Sequence, residues 1–211
     1  MRDVILYTDN DSFAGCENML AVLINSQEFT KNFSTKLIYR ESKLYTSDIK
    51  ARLLKSALLK PVKLFVFRRA HLPKIIKNNL YFRILFRLFV IITFPICFII
   101  NFLLIYLCLR DEKKDIIIIN NGGYPGAPTC LQAAIIARIV GFNKIYMIVN
   151  NISEKPQKFL FLLEATFDKF VVKSTDLFIS GSDAASNALK SNRNVPDRKV
   201  TTLLNGIDCK R

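Results

Sequence analysis

The chain has 211 residues, of which 51% are hydrophobic, and its 31 Lys and Arg outweigh 17 Asp and Glu to give a formal charge of +14. That apolar fraction is ample for a buried core. A single His71 and five scattered cysteines (Cys16, Cys97, Cys108, Cys130 and Cys209), none in a CxxC pair, exclude zinc-site spacing, so no metal is expected.

In chain order, short apolar or β-branched runs that end in turn residues predict strands. Val4-Ile5-Leu6-Tyr7 runs into Thr8-Asp9-Asn10-Asp11, and a helical stretch near 17–25 leads to a strand at Lys36-Leu37-Ile38-Tyr39. A helix over 48–59 precedes a predicted strand from Val62 to Phe67. Ile116 to Ile119 ends at Asn120-Asn121-Gly122-Gly123, Lys144 to Val149 at Asn150-Asn151, and Leu177-Phe178-Ile179 at Ser180-Gly181-Ser182-Asp183. Helices are expected at 129–140, 157–173 and 183–191, and a last strand from Val200 to Leu204. Strands alternating with helices predict an α/β chain, Rossmann-like, with a mainly parallel sheet covered on both faces. Ligands of such sheets bind beyond the carboxyl ends of the strands, so these polar ends are the candidate site rim. Each of them read singly is equally a turn.

Between the third and fourth strands the composition changes. Leu88 to Leu109 is a run of 22 uncharged residues bracketed by Arg87 and Arg110. From Lys50 to Arg87 there are eleven Lys/Arg and no acidic residue, while the rest of the chain is close to neutral. The run is long enough to cross a bilayer, and the basic residues suit anionic head groups. Basic residues adjoining an apolar run favour lipid over nucleic acid as partner; the competing nucleic-acid reading predicts salt-sensitive RNA binding without liposomes. A simple crossing would strand the first three strands on the far side from the other four. The segment 68–110 is therefore expected to associate with an anionic membrane surface in the plane or as a re-entrant hairpin, with Pro95 and Asn101 near the bends. A core helix and a true span are the alternatives. Arg68, Arg69, Lys74, Lys77, Arg83 and Arg87 are the candidate membrane-contacting cations. The thiols read as reduced, and Met1-Arg2-Asp3-Val4 begins a strand pattern rather than a signal peptide. The expected location is thus the cytoplasmic face of a membrane.

Two loops carry candidate chemistry. Asp9 to Asn18 joins the first strand to the first helix, and its Gly15 lets backbone amides approach a ligand at a helix N-terminus. Asn120 to Thr129 holds three Gly and two Pro in ten residues, with Thr129 as the expected N-cap. Either loop read alone is also consistent with a structural turn.

The tail is more specific. Ser180-Gly181-Ser182-Asp183, a helix, Asn194-Val195-Pro196, Lys199-Val200 and Asn205-Gly206-Ile207-Asp208 together resemble the end of the N-terminal domain of family 4 glycosyltransferases, which have the GT-B fold. Ala14-Gly15-Cys16-Glu17 is similar to that family's G-x-E-type loop, and Asp115 to Ile119 to its D-I-I strand. The resemblance implies that residues 1–211 form one Rossmann-like acceptor domain, whose donor partner is a C-terminal domain or a separate subunit. It implies sugar transfer from a nucleotide-sugar, expected in the full enzyme with no cofactor in this domain, to a lipid-linked or surface-glycan acceptor. It places Ala14, Gly15 and Cys16 near the donor phosphates, and Asn120, Asn121, Gly122, Gly123, Tyr124, Asn150 and Asn151 along the acceptor cleft. Many members carry a His after the fourth strand, where this chain has Asn120 and Asn121, so no catalytic residue is assigned. A membrane-anchoring subunit that recruits a separate catalytic partner is the alternative.

Overall fold

Seven strands form one all-parallel sheet in the computed structural model, which describes residues 2–54, 57–66, 79–156 and 161–204. They are β1 (Arg2–Thr8), β2 (Phe33–Arg40), β3 (Leu58–Val62), β4 (Ile116–Asn121), β5 (Lys144–Val149), β6 (Leu177–Ser180) and β7 (Val200–Thr202). Their order across the sheet is β3-β2-β1-β4-β5-β6-β7. The helices are α1 (Gly15–Asn25), α2 (Gln27–Asn32), α3 (Lys43–Arg52), α4 (Leu80–Leu109), α5 (Pro128–Val140), α6 (Phe161–Ser174) and α7 (Asp183–Arg193).

The two faces of the sheet follow from the two-residue period of a strand. Val4 and Leu6 of β1 join Leu37 and Tyr39 of β2 in a core with Leu20 and Ile24 of α1 and Tyr45 and Ile49 of α3. Ile5 and Tyr7 point the other way, into a larger core with Ile117, Ile119, Ile145 and Met147, the end of α4 and the inner face of α5. This is the Rossmann-like α/β architecture expected from the sequence. From β1 the chain adds β2 and β3 on one side, then returns to add β4 on the other. The connections leaving β1 and β4 therefore diverge and open a crevice at their carboxyl ends.

The third strand differs from expectation. It covers Leu58–Val62, not Val62 to Phe67, and α3 ends at Arg52 rather than continuing to 59. Pairing with β2 sets the register, Lys36 opposite Leu58 and Arg40 opposite Val62. Pro61 is tolerated because β3 is an edge strand with one unpaired side. The apolar residues that follow serve packing instead, and Leu64 lies against the larger core. The short helix α2 is a further element without a sequence expectation; Ser26 caps it through Phe29 N.

The apolar run forms one uninterrupted helix, α4, of 30 residues, about 45 Å long at 1.5 Å per residue. There is no hairpin within it, which corrects the expectation of bends at Pro95 and Asn101. Pro95 costs the helix a single internal hydrogen bond. Nearby, the Thr93 hydroxyl donates back to the Phe89 carbonyl at 2.7 Å. Asn101 does not mark a bend either. Its amide clamps the segment after β3, accepting from Phe65 N at 2.8 Å and donating to Phe65 O at 2.9 Å.

The last turns of α4 are domain core. Ile105, Cys108 and Leu109 are buried, α4 packs along α5, and Gln132 of α5 donates to Phe98 O at 2.7 Å. Glu112, just beyond the helix, takes ion pairs from Lys36 of β2 and Lys60 of β3, and Lys60 also reaches Cys108 O. The first turns are different: Leu80, Ile91 and Ile92 are about two-thirds exposed (67, 67 and 70%). By length and composition α4 could cross a membrane. Arg83 and Arg87 lie on this outer part, whereas Arg68, Arg69, Lys74 and Lys77 fall outside the described residues. Because β1 pairs with both β2 and β4, the strands on either side of α4 belong to one sheet.

Candidate functional site: the crevice between β1 and β4

The crevice holds a cavity of about 180 Å³ lined by Asp9, Asn10, Asn120, Asn121, Gly122, Gly123, Gly126, Ala127 and Cys130. Every wall is a strand end or the start of a helix. Asp9 and Asn10 follow β1, Asn120 and Asn121 end β4 with Gly122 and Gly123 directly after it, and Ala127 caps α5.

Beneath it lies a buried carboxylate, Glu17, near the start of α1 and with no exposed surface. Its Oε1 accepts from the Thr8 hydroxyl at 3.0 Å, from Asn120 Nδ2 at 2.9 Å and from Asn10 Nδ2, and its Oε2 accepts from the Tyr45 hydroxyl. Burial pushes its pKa up, against the pull of these four donors. Four donors fill the lone pairs of a carboxylate, so Glu17 has none left for a substrate proton and is no general base. The Tyr45 hydroxyl is pushed well up by burial and by the Glu17 charge and stays protonated as a donor.

The β1–α1 loop is held from the β2 side. Arg40, itself buried, pairs with Asp9 at 2.8 Å and with Asp11 at 3.0 Å. Ser42 donates to Asp11 O at 2.8 Å, and the Arg52 guanidinium lies 4.0 Å over the Phe13 ring. Asp9 also accepts from the Thr129 hydroxyl. Thr129 is thus a tie between α5 and β1 rather than the expected N-cap. The helix begins at Pro128, behind Ala127, because Pro needs no N–H partner in the first turn.

The second loop is shaped by Asn121. This fully buried side chain accepts from Ala127 N at 3.1 Å and donates to Pro125 O at 3.3 Å, spanning the loop from below. Gly126 has φ +60°, and a Cβ there would overlap the Gly123 carbonyl oxygen and the Asn121 side-chain oxygen, so only glycine fits.

The structure brings most of the expected residues together. Asn120, Asn121, Gly122 and Gly123 line the cavity, with Asn121 acting on the loop's own backbone. Asn150 joins through its side chain, donating Nδ2 to Asn120 Oδ1 at 3.3 Å. Asn151 supports the loop from its backbone N–H, 3.1 Å from Gly122 O. Ala14, Gly15 and Cys16 form the start of α1, where Gly15 is exposed to open space and Cys16 Sγ faces Gly122. Burial, then the Glu17 charge, pushes the Cys16 thiol up, so it is not a thiolate nucleophile.

Tyr124 is a correction. Its side chain does not face the cleft but lies buried under the loop, donating to Asp168 at 2.9 Å and packing on Phe178. Arg193, buried beside it, pairs with Asp168 at 3.1 Å and Glu164 at 2.9 Å and donates to Glu154 O at 2.6 Å. A large ring between two strand ends gains more from burial than from solvent contact, and its hydroxyl has a partner there. Arg40 and Tyr45 carried no sequence expectation, and Asp9, Asn10, Glu17 and Gly126 lay within the two candidate loops without being singled out as site residues. Asp9 and Asn10 had a signal, their place directly after a buried strand.

An apolar groove of about 370 Å³ adjoins this cavity and shares Gly126 and Ala127 with it; Val90, Phe94 and Phe98 of α4 form one wall, and Phe65 and Val66 another. Among the described residues no group of His, Cys, Asp or Glu converges as a metal site.

No protein-family model and no curated protein matches the sequence. Solved structures do resemble the fold. A glycosyltransferase from Rickettsia africae ESF-5 aligns over 99% of this chain and 44% of its own, at 12% identity and a TM-score of 0.62. MurG of Acinetobacter baumannii aligns over 100% and 47%, at 8% identity and a TM-score of 0.54. A putative UDP-N-acetylglucosamine 2-epimerase from Listeria monocytogenes aligns over 95% and 45%, at 9% identity and a TM-score of 0.57. The chain thus spans less than half the length of these proteins, and at such identities the likeness is one of fold: the Rossmann-like half of a GT-B-type architecture.

Proposed function

We propose that this chain is the acceptor-side domain of a membrane-associated glycosyltransferase of the family 4 type, which moves a sugar from a nucleotide-sugar to a lipid-linked or surface-glycan acceptor. The observation that carries it is an adjacency: the polar switch-point cavity opens beside an apolar groove whose wall is the outer part of α4. An amphiphilic acceptor needs such a pair, with its head group among Asn120, Gly122 and Gly123 and its first hydrocarbon units along Phe94 and Phe98. Exposed apolar turns of α4, with Arg83 and Arg87, would then rest at the cytoplasmic face of an anionic membrane. In this reading Ala14, Gly15 and Cys16 approach the donor phosphates, and the donor itself is held by a further domain or a separate subunit. Glycosyltransferases among the structural neighbours support sugar transfer, and the tail motif supports the family.

The test is flotation with phosphatidylglycerol-containing vesicles. The chain is expected to float, and combined Ile92→Glu, Ile96→Glu and Ile99→Glu substitutions on exposed positions should abolish this without unfolding the domain. Charge reversal at Arg68, Arg69, Lys74 and Lys77 should weaken it. Flotation that all these changes leave untouched removes the membrane from the reading. One observation favours a second reading, a non-catalytic anchoring subunit for a separate donor-binding catalytic subunit: the carboxylate at the heart of the crevice, Glu17, is saturated and enclosed. Sugar transfer by the purified chain alone would refute both the half-enzyme and the anchoring reading.

A further inference from the structure

Three asparagine amides meet at the crevice, and their hydrogen bonds all run towards Glu17, directly or through Asn120. Asn10 and Asn120 both point Nδ2 at Glu17, and Asn150 points Nδ2 at Asn120 Oδ1. An ionised carboxylate accepts only. Whatever touches Glu17 must therefore be an N–H or O–H, and all four of its neighbours comply. This removes the usual freedom of an amide to turn over. With Asn120 Nδ2 committed to Glu17, its Oδ1 faces away and can only accept, so Asn150 must donate. The oxygens of Asn10, which lines the cavity, and of Asn150, which stands beside it behind Asn120, take no part in these bonds and are left over at the two ends of the relay.

We propose that Glu17 is a positioning residue: its buried charge sets the direction of the Asn10, Asn120 and Asn150 amides so that the crevice presents acceptor oxygens, and the ligand group bound there is a hydroxyl donor rather than an anion. The proposal rests on the sugar-transfer reading only for what carries the hydroxyl. A phosphate group held by these side chains would instead require the amides turned, with Nδ2 outward, and the Glu17 carboxylate forbids that turn. The site thus discriminates by hydrogen-bond polarity, which leaves a mismatched partner with unpaired buried groups.

A double-mutant cycle on the whole chain tests the relay without any ligand. Asn150→Asp puts a carboxylate against Asn120 Oδ1, where two acceptors clash. It is expected to lower the thermal midpoint by about 2–6 °C. In a Glu17→Gln background, Asn120 is free to turn and donate to the carboxylate introduced opposite it, so the same change should cost less than half as much. Equal cost in both backgrounds, as a merely space-filling Glu17 would give, overturns the relay. If Glu17→Gln alone fails to fold, Glu17→Asp serves as the background: a retained charge should preserve the full cost of Asn150→Asp, and a relieved cost overturns the relay.

The ligand arm follows the side-chain amide signals of Asn10 and Asn120 by NMR, with methyl glucoside and separately with sodium sulfate. Shifts with the glucoside and none with sulfate are expected. Shifts with sulfate alone overturn the proposed polarity. With neither probe shifting and the cycle still coupled, Glu17 stands as the orienting residue and the sugar reading of the crevice fails instead.

Discussion

Along α4, the same residue types meet opposite surroundings. Ile105 and Leu109 are fully buried against α5 and the sheet, whereas Ile91 and Ile92, at 67 and 70% exposure, touch little of the domain. Hydropathy alone does not separate them, since Ile91 and Ile92 lie in the same uncharged run, Leu88 to Leu109, as Ile105 and Leu109. What separates them is anchorage. The inner end is tied by Asn101 to Phe65, by Gln132 to Phe98 O and by Glu112 to Lys36 and Lys60. The outer end has no comparable ties among the described residues and, apart from Arg83 and Arg87, presents hydrocarbon. A helix that is hydrophobic all round normally has an apolar environment on every side; the inner turns find it within the fold, and the outer turns leave their apolar surface uncovered among the described residues.

That contrast is open to direct attack by urea denaturation. The largest effect is expected from Ile105→Ala, which opens a cavity between α4 and α5 and should cost about 3 kcal/mol. Asn101→Ala comes next. It strips Phe65 N–H and C=O of their partners and should cost roughly 2 kcal/mol, more than an ordinary mid-helix polar-to-Ala change.

Glu112→Gln should cost about 1 kcal/mol at neutral pH, a modest value because Lys60 is partly exposed and its pairing is screened. Burial raises the Glu112 pKa, but hydrogen bonds and charge from Lys36 and Lys60 outweigh it and leave the pKa lowered. A lowered folded pKa means the folded state holds its proton less tightly than the unfolded one. The stabilisation is therefore present above the ordinary glutamate pKa and fades as pH falls through the folded value. Wild type and Glu112→Gln should converge in acid; a gap that persists there would break the electrostatic account. The smallest effect belongs to Ile92→Ala, expected within about 0.5 kcal/mol. A cost comparable to that of Ile105→Ala would mean that the outer turns are covered in solution, and would erase the contrast.

The crevice shows the same division in polar form. The position of Asn120 and Asn121 at the end of a buried strand was readable, because IIII gives way there to two polar residues and two glycines; both asparagines still belong to β4 and pair with Ile148 and Val149 of β5. That Asn120 bonds to Glu17, 103 residues earlier in the chain, was not readable. Nor was the inward turn of Tyr124, since an aromatic beside Gly and Pro suits a cleft and a core equally. VKLFVF has a good strand composition, yet the strand lies at Leu58–Val62 because pairing with β2, not propensity, set the register.

Sequence alone determined the alternation of strands and helices, the strand ends where a site could form, and the apolar length of α4, because these depend on periodicity and composition within short windows. Tertiary structure decided which part of α4 is core, which amides share Glu17, and which loop residues face the cavity. Those outcomes depend on groups far apart in the chain competing for the same donors, acceptors and buried volume, and that competition is resolved only when the sheet brings β1 and β4 side by side.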